Sequence, residues 1–350
     1  MAIPFHHIDP RGSGVSAWRL RVLLAVLGAS CGEPGRIDID IYKKDVAADD
    51  GFALSAFDLH LRGHPRDEVP AVWMFYLVGS EPVSVMQSTA QFADLVARGF
   101  CVVLLQPRGV AVDGTVDQDV FRRHETRQRR VADEIAVMDA YLTGSSSTPV
   151  LLVGSSQGGV VAADIAAADP RVTHLFMMAS GGGWTQAEEL EFFVEKEPGT
   201  LGMSSTAELR AKFDEIRAAP DSGELWAGHP FRMWSSYLWF RPLDGLAPLS
   251  IPMFLAQGTA DRAVPVESAR ALRDELARLG RCNLTYVEYP GLDHHFEDAA
   301  GEPDGRAAGR CLRVDGRDGA CRWAHRLKSM RPRRSGRCVP GRGASDRAPP

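Results

Sequence analysis

Along the first part of the chain, polar and apolar positions alternate. Ile37-Asp38-Ile39-Asp40-Ile41-Tyr42 changes character at each step, and Leu54 to Arg62 alternates through Leu54, Ala56, Phe57, Leu59 and Leu61. A period of two predicts half-exposed strands. Asp49-Asp50-Gly51 between them predicts a tight turn, hence an opening hairpin. Further on the alternation disappears. Ala71 to Val78 reads AVWMFYLV, and comparable apolar runs follow at Phe100 to Leu105, Pro149 to Val153, Thr173 to Ser180, Ile251 to Gln257 and Leu284 to Tyr289. Strands apolar on both sides are buried on both faces, as in the middle of a parallel sheet. Between them, apolar residues recur at helical spacing over Ser84 to Arg98, Arg122 to Leu142, Val160 to Ala168 and Val266 to Leu279. Strand–helix alternation predicts an α/β fold, with a mostly parallel sheet and helices on both faces.

One segment breaks the alternation. Trp184 to Leu249 carries helical patterns at Glu188–Lys196, Thr206–Ala218 and Phe231–Phe240, and holds Trp184, Trp226, Trp234, Trp239 and Phe240. It reads either as a helical cap, about residues 184–249, inserted between strands, or as an ordinary helical excursion of the same domain. Its aromatics fit a packed core more readily than a pocket for an apolar acyl or aromatic group.

Charge changes the picture at the ends. The formal net charge of −5 argues against a nucleic-acid partner, but residues 301–350 hold 12 Arg and 1 Lys against 5 acidic residues, leaving −13 on the first 300. That basic, Gly- and Pro-rich tail lacks apolar periodicity and reads as disordered; a shifted reading frame or a fusion near Gly301 would account for it. At the other end, Arg19 and Arg21 precede Val22 to Leu27, then Gly28-Ala29-Ser30 and Cys31. A positive region, a short apolar region and small residues make residues 1–36 signal-like and predict export. Cys31 after small residues resembles a bacterial lipoprotein box, which would make a lipid there the one route to a membrane. The competing reading is a buried or disordered N-terminal segment on a cytoplasmic protein. The six cysteines show no metal-ligand spacing and no disulfide framework, and Cys101 falls in an apolar run. The domain proper is residues 37–300.

The candidate chemistry centres on Gly154-Ser155-Ser156-Gln157-Gly158, between an apolar run and a small-residue helical run. Strand, sharp turn and helix would put Ser156 at the apex, with Gly154 and Gly158 small enough to let strand and helix close around it. A serine nucleophile needs a base, and the base needs an orienting carboxylate. In a parallel sheet such groups gather on loops after strand carboxyl ends. Asp261 sits on one such loop and His294 on the next, in the order Ser, Asp, His. Ser155 lacks flanking glycines two residues either side. His295 is an alternative base, and Asp293 reads as a loop hydrogen-bonder. His60, His64, His124 and His229 read as surface or packing residues.

With GSSQGG, GTADRAVPVESA, YPGLDHHF and QPRG in place, the chain resembles the α/β-hydrolase superfamily from about Ile37 to Ala300. Within it, the chain looks most like serine esterases, dienelactone-hydrolase-like proteins and prolyl-oligopeptidase-type catalytic domains. Dienelactone hydrolases proper carry a cysteine where Ser156 stands. The resemblance implies a serine hydrolase cleaving a carboxylic ester or amide through an acyl-enzyme, with Ser156, His294 and Asp261 as the triad. It also implies an oxyanion hole made by the backbone N–H of Gln157 and one from the loop after Gly79, Ser80 or Glu81, although Val78 stands where the family often has His. Arg108 and Gly109 match a loop that braces the nucleophile region. No metal or organic cofactor is implied. The substrate would be a small-molecule ester or a peptide. The alternatives are a prolyl-oligopeptidase-type peptidase, an acyltransferase, or a non-catalytic binding module on the same fold.

Overall fold

The computed structural model describes residues 37–65, 68–143 and 147–298. The signal-like segment with Cys31 and the basic tail lie outside the described residues. An eight-stranded sheet forms the centre. Its strands are β1 (Ile39–Ala47), β2 (Ala53–Leu61), β3 (Val72–Leu77), β4 (Phe100–Leu105), β5 (Val150–Ser155), β6 (His174–Met178), β7 (Met253–Gly258) and β8 (Leu284–Tyr289). The spatial order is β1-β2-β4-β3-β5-β6-β7-β8. β1 and β2 form the antiparallel hairpin, and β2 meets β4 antiparallel. All other pairs are parallel. The hairpin turns where Gly51 takes φ +80°, with Phe52 N–H donating to Asp50 Oδ1 (3.1 Å).

Side chains of the inner strands alternate between two cores, one on each sheet face. Phe75, Leu77 and Leu152 point to one, and Met74, Tyr76, Leu151 and Val153 to the other. Each such fully buried side chain is worth roughly 1.5–3 kcal/mol of transfer free energy. The first face is covered by α2 (Arg127–Tyr141), α3 (Gln157–Ala168) and the segment after β6, while α1 (Gln118–His124) buries no residue; the second is covered in part by Val85 to Val96.

Two expected helices come out differently. Arg122 to Leu142 is not one helix but α1 and α2, broken at Glu125-Thr126. Thr126 takes an extended conformation and accepts from Arg129 N–H (3.3 Å), so a hydroxyl starts a new helix where the apolar period runs on. Ser84 to Arg98 is mostly a 3-10 run, Val85–Phe92, with one α-helical turn, Ala93–Val96. There Thr89 Oγ1 donates to the Met86 carbonyl (3.0 Å) and Ser84 Oγ accepts from Met86 N–H (3.3 Å), local bonds that compete with α-helical ones.

Between β6 and β7 the chain forms α4 (Gln186–Lys196), α5 (Thr206–Ala218), α6 (Phe231–Tyr237) and α7 (Pro242–Leu246), with a two-residue hairpin pairing Leu225–Trp226 and His229–Pro230. The buried side chains of this segment, among them Leu209, Phe213 and Ile216, join the core on the first face of the sheet. Two of its aromatics are core: Trp226 and Trp234 are buried with centroids 4.7 Å apart, and Trp234 Nε1 donates to the Trp226 carbonyl (2.8 Å), whereas Trp184 and Phe240 are half-buried and Trp239 is exposed. The hairpin and α7 escape a periodicity reading because each is too short to show one. α8 (Val266–Arg278) links β7 to β8. Cys101 is free and buried. Among the described residues no helix is long and apolar enough to cross a membrane.

Candidate active site

The turn between β5 and α3 is as tight as its glycines suggest. A Cβ on Gly154 would lie 2.5 Å from the Gly159 Cα, and one on Gly158 would lie 2.8 Å from the Leu77 carbonyl carbon. Gly159 is equally constrained, by the Ser180 side chain, a requirement the five-residue motif does not express. Closing this turn forces Ser156 to φ +55°, in the left-handed region that a non-glycine residue takes at a cost of order 1–3 kcal/mol. Its N–H donates to the Met178 carbonyl (2.8 Å), which ties the turn to β6.

That conformation has a chemical consequence. A serine before a helix ordinarily turns its hydroxyl onto the helix's own N–H groups. Ser156 makes no such cap. Its Oγ lies 2.9 Å from His294 Nε2 instead. The other ring nitrogen, Nδ1, lies 3.0 and 2.9 Å from the two oxygens of Asp261. Strand ends bring the three together: Ser156 follows β5, Asp261 follows β7 and His294 follows β8. Gly258 is required at the last junction, since a Cβ there would lie 2.6 Å from the Asp293 carbonyl oxygen.

Asp261 is held from several sides. Its side chain is fully buried, and Oδ1 also accepts from Ala263 N–H (2.8 Å) and Val264 N–H (2.9 Å). Oδ2 accepts from Gln257 Nε2 (2.8 Å), and Gln257 Oε1 accepts from Gly181 N–H (3.3 Å). A buried carboxyl group needs this many donors to satisfy its oxygens and fix its orientation. Gln257 was not anticipated as a site residue. Its signal was available, as a polar residue closing an otherwise apolar buried strand. Glu189, on α4, is a second buried carboxyl near Asp261, and burial pushes it up to about 8.

His295 is exposed, and its backbone N–H donates to Asp293 Oδ1 (2.8 Å); Asp293 also accepts from Glu297 N–H (2.9 Å). The histidine joined to Ser156 and Asp261 is therefore His294, and Asp293 orders its loop. Ser155 is buried in the last position of β5. His60 and His229 are more than surface residues, since they pair with the buried acids Asp58 (2.8 Å) and Glu125 (2.6 Å).

The loop after β3 passes beside the serine, since a Cβ on Gly79 would lie 3.6 Å from Ser156 Cβ. A small cleft opens against Gly79, Ser80 and Gln157, with Phe121, Glu125 and Arg130 among its walls; it is lined by none of Ser156, His294 and Asp261. Arg108 braces from beneath. Its guanidinium makes paired bonds to Asp133 (2.7 and 2.7 Å) and Asp50 (2.6 and 3.0 Å) and lies over the Phe52 ring. It fastens the β1–β2 turn to α2, and in return holds the Asp50 carboxyl far below the usual carboxylate range.

Residues 59–305 match the alpha/beta hydrolase family. The chain belongs to that family. No curated protein matches its sequence. Among solved structures, this hydrolase is similar to Est1E from Butyrivibrio proteoclasticus with ferulic acid bound, at 20% identity over 76% of this chain and 96% of that one, with a TM-score of 0.53. It is similar to the acylaminoacyl peptidase of Pyrococcus horikoshii at 13% identity, covering 84% and 45% of the two chains, with a TM-score of 0.55. It is also similar to a puromycin hydrolase at 18% identity, covering 80% and 39%, with a TM-score of 0.53. At these identities the likeness is one of fold alone, and the hydrolase spans less than half the length of the last two.

Proposed function

We propose that this hydrolase cleaves carboxylic esters, or amides, through an acyl-enzyme on Ser156. The observation that carries the proposal is the continuous hydrogen-bonded path Ser156–His294–Asp261, in which serine and acid occupy opposite ring nitrogens. In that arrangement Nε2 takes the Oγ proton as Oγ attacks the acyl carbon. Asp261 holds Nδ1 protonated and stabilises the imidazolium that forms. His294 then gives the proton to the departing alcohol or amine. Water repeats the sequence on the acyl-enzyme: His294 takes its proton, the hydroxide attacks, and Oγ recovers the proton as the acid leaves. The oxyanion is received by the N–H groups of Gln157, at the positive end of α3, and of Ser80.

Structural neighbours named as an acylaminoacyl peptidase and a puromycin hydrolase support hydrolysis of an acyl bond. The peptidase also supports an amide or peptide as a second substrate class. A panel of nitrophenyl esters of short and long acids, together with a Gly-Pro nitroanilide, tests the reading. Turnover of at least one substrate by the wild type and none by Ser156→Ala is expected. Silence across the panel, or equal turnover by the variant, would overturn it.

A further inference from the structure

Arg130 lies on α2, outside the triad, yet it reaches both limbs of the oxyanion region. Its Nη2 donates to the carbonyl of Val78 (2.5 Å), the residue leading into Gly79-Ser80. Its Nη1 donates to Oε1 of Gln157 (2.7 Å), the residue following Ser156. These limbs belong to separate stretches of chain, and they diverge beyond the last β3–β5 pair, Leu77 with Gly154. One planar guanidinium spans the gap. On its far side the Gln157 amide is held by helix α6, through Nε2 to Met233 Sδ (3.5 Å).

Neither of these two acceptors is a carboxylate; the Tyr237 hydroxyl is a further partner of the guanidinium, and Glu125 lines the same cleft. Glu134, one turn further along α2, is buried, and burial pushes its carboxyl up to about 8. The Arg130 side chain brings a formal positive charge to the edge of the cleft at Ser80 and Gln157. A two-point contact of this kind needs the rigid fork of arginine; a lysine ammonium reaches one acceptor well and the other poorly.

We propose that Arg130 is a positioning residue for the oxyanion hole. It sets the spacing between the Ser80 and Gln157 backbone donors and adds positive potential where the tetrahedral oxyanion forms. The proposal rests on the hydrolase reading above. Donors fixed before the reaction stabilise the transition state without stabilising the ground state, so their loss falls on kcat more than on KM.

The test compares wild type, Arg130→Met and Arg130→Lys on a nitrophenyl ester, with thermal melts alongside. Arg130→Met should remain folded and lose about 10- to 100-fold in kcat with KM within about threefold, less than the loss of a direct oxyanion donor. Millimolar guanidinium should restore several-fold activity to Arg130→Met and leave the wild type unchanged. Arg130→Lys should recover only part of the loss. Unchanged kcat in folded Arg130→Met would overturn the proposal. So would a loss confined to KM, or a loss that follows the unfolded fraction and is not rescued by guanidinium. Fluorophosphonate labelling separates the two readings. A wild type that neither labels nor turns over esters sinks the hydrolase reading and this proposal with it. A wild type that labels at the same rate as Arg130→Met sinks this proposal alone.

Discussion

Two regions of the molecule carry the same three kinds of group. At the strand ends stand Asp261, His294 and Ser156. At the hairpin side of the sheet stand Asp58, His60 and Cys101, where an acid and a thiol again meet an imidazole. In the first, acid and hydroxyl bind opposite nitrogens of the ring, so a proton accepted at Nε2 is balanced by the acid at Nδ1. In the second, Asp58 Oδ2 (2.8 Å) and Cys101 Sγ (3.6 Å) both face Nε2 of His60. That ring cannot be oriented by one group while serving the other. The backbones differ as well. Ser156 sits at φ +55° at the start of a helix, whereas Cys101 is an ordinary strand residue in register with Trp73. Asp58 spends its other oxygen on the hydroxyl of Tyr141 (2.7 Å). On the function proposed above, the first cluster serves proton transfer, whereas the second ties β2, β4 and α2 together. Residue types do not make a site; the ring nitrogen each group takes, and the strand end it stands on, do.

The largest effect should come from Ser156→Ala, with kcat for an ester falling at least about 10⁴-fold. Asp261→Asn should follow at about 10⁴-fold, since it keeps the shape of the site and reverses the polarity of the bond to Nδ1. A drop under tenfold in that variant, with the fold intact, would break the distinction just drawn. Gly158→Ala tests the elbow itself. Its new methyl meets the Leu77 backbone at 2.8 Å, so stability should fall by about 1–3 kcal/mol in urea unfolding. Displacement of the serine by a fraction of an ångström should cost up to about 100-fold in kcat.

The second cluster should respond in the opposite sense. His60→Ala leaves buried Asp58 short of a partner and should cost about 1–3 kcal/mol of stability, while kcat stays within about twofold of wild type. An inactive but well-folded His60→Ala would contradict the contrast.

A smaller effect is read in pH dependence. Glu134 titrates near 4.5 when unfolded and near 8 when folded, because burial removes its hydration. Between those values the unfolded chain has released a proton that the fold retains, so this group's contribution is fully present below about 4.5 and declines as pH rises toward 8. The wild-type Tm should therefore fall relative to that of Glu134→Gln between pH 5 and pH 8. Glu189 shifts in the same direction but is present in both proteins and cancels. Parallel Tm curves would remove Glu134 from the account.

Much of this was legible in the sequence because the governing physics is local. Period-two alternation, apolar runs and turn residues located all eight strands, and Leu284–Tyr289 matches its expected bounds. Gly154 and Gly158 could be read as steric requirements because the backbones they face belong to the same turn or to the neighbouring strand. Strand-end position singled out Asp261 and His294, which the structure brings to Ser156. Choosing His294 over His295 from spacing alone was harder, since both occupy one turn and only tertiary packing decides which ring faces inward. Arg130, Glu125 and Gln257 were not recognised, because their partners lie far off in sequence or their role is to hold another side chain. The break at Thr126 was missed for a related reason: the apolar period continues across it, and the capping hydroxyl looks like any other polar position.

The central claim is that Ser156 is the nucleophile of a Ser–His–Asp site, and the most direct test is to find where a mechanism-based probe attaches. The protein is treated with a fluorophosphonate, digested, and the peptide spanning Val150 to Ala168 is sequenced by mass spectrometry. The account predicts one stoichiometric adduct on Ser156, absent from Ser156→Ala and strongly slowed in Asp261→Asn. An adduct on Ser155, an adduct that survives Ser156→Ala, or no adduct on the wild type would contradict it.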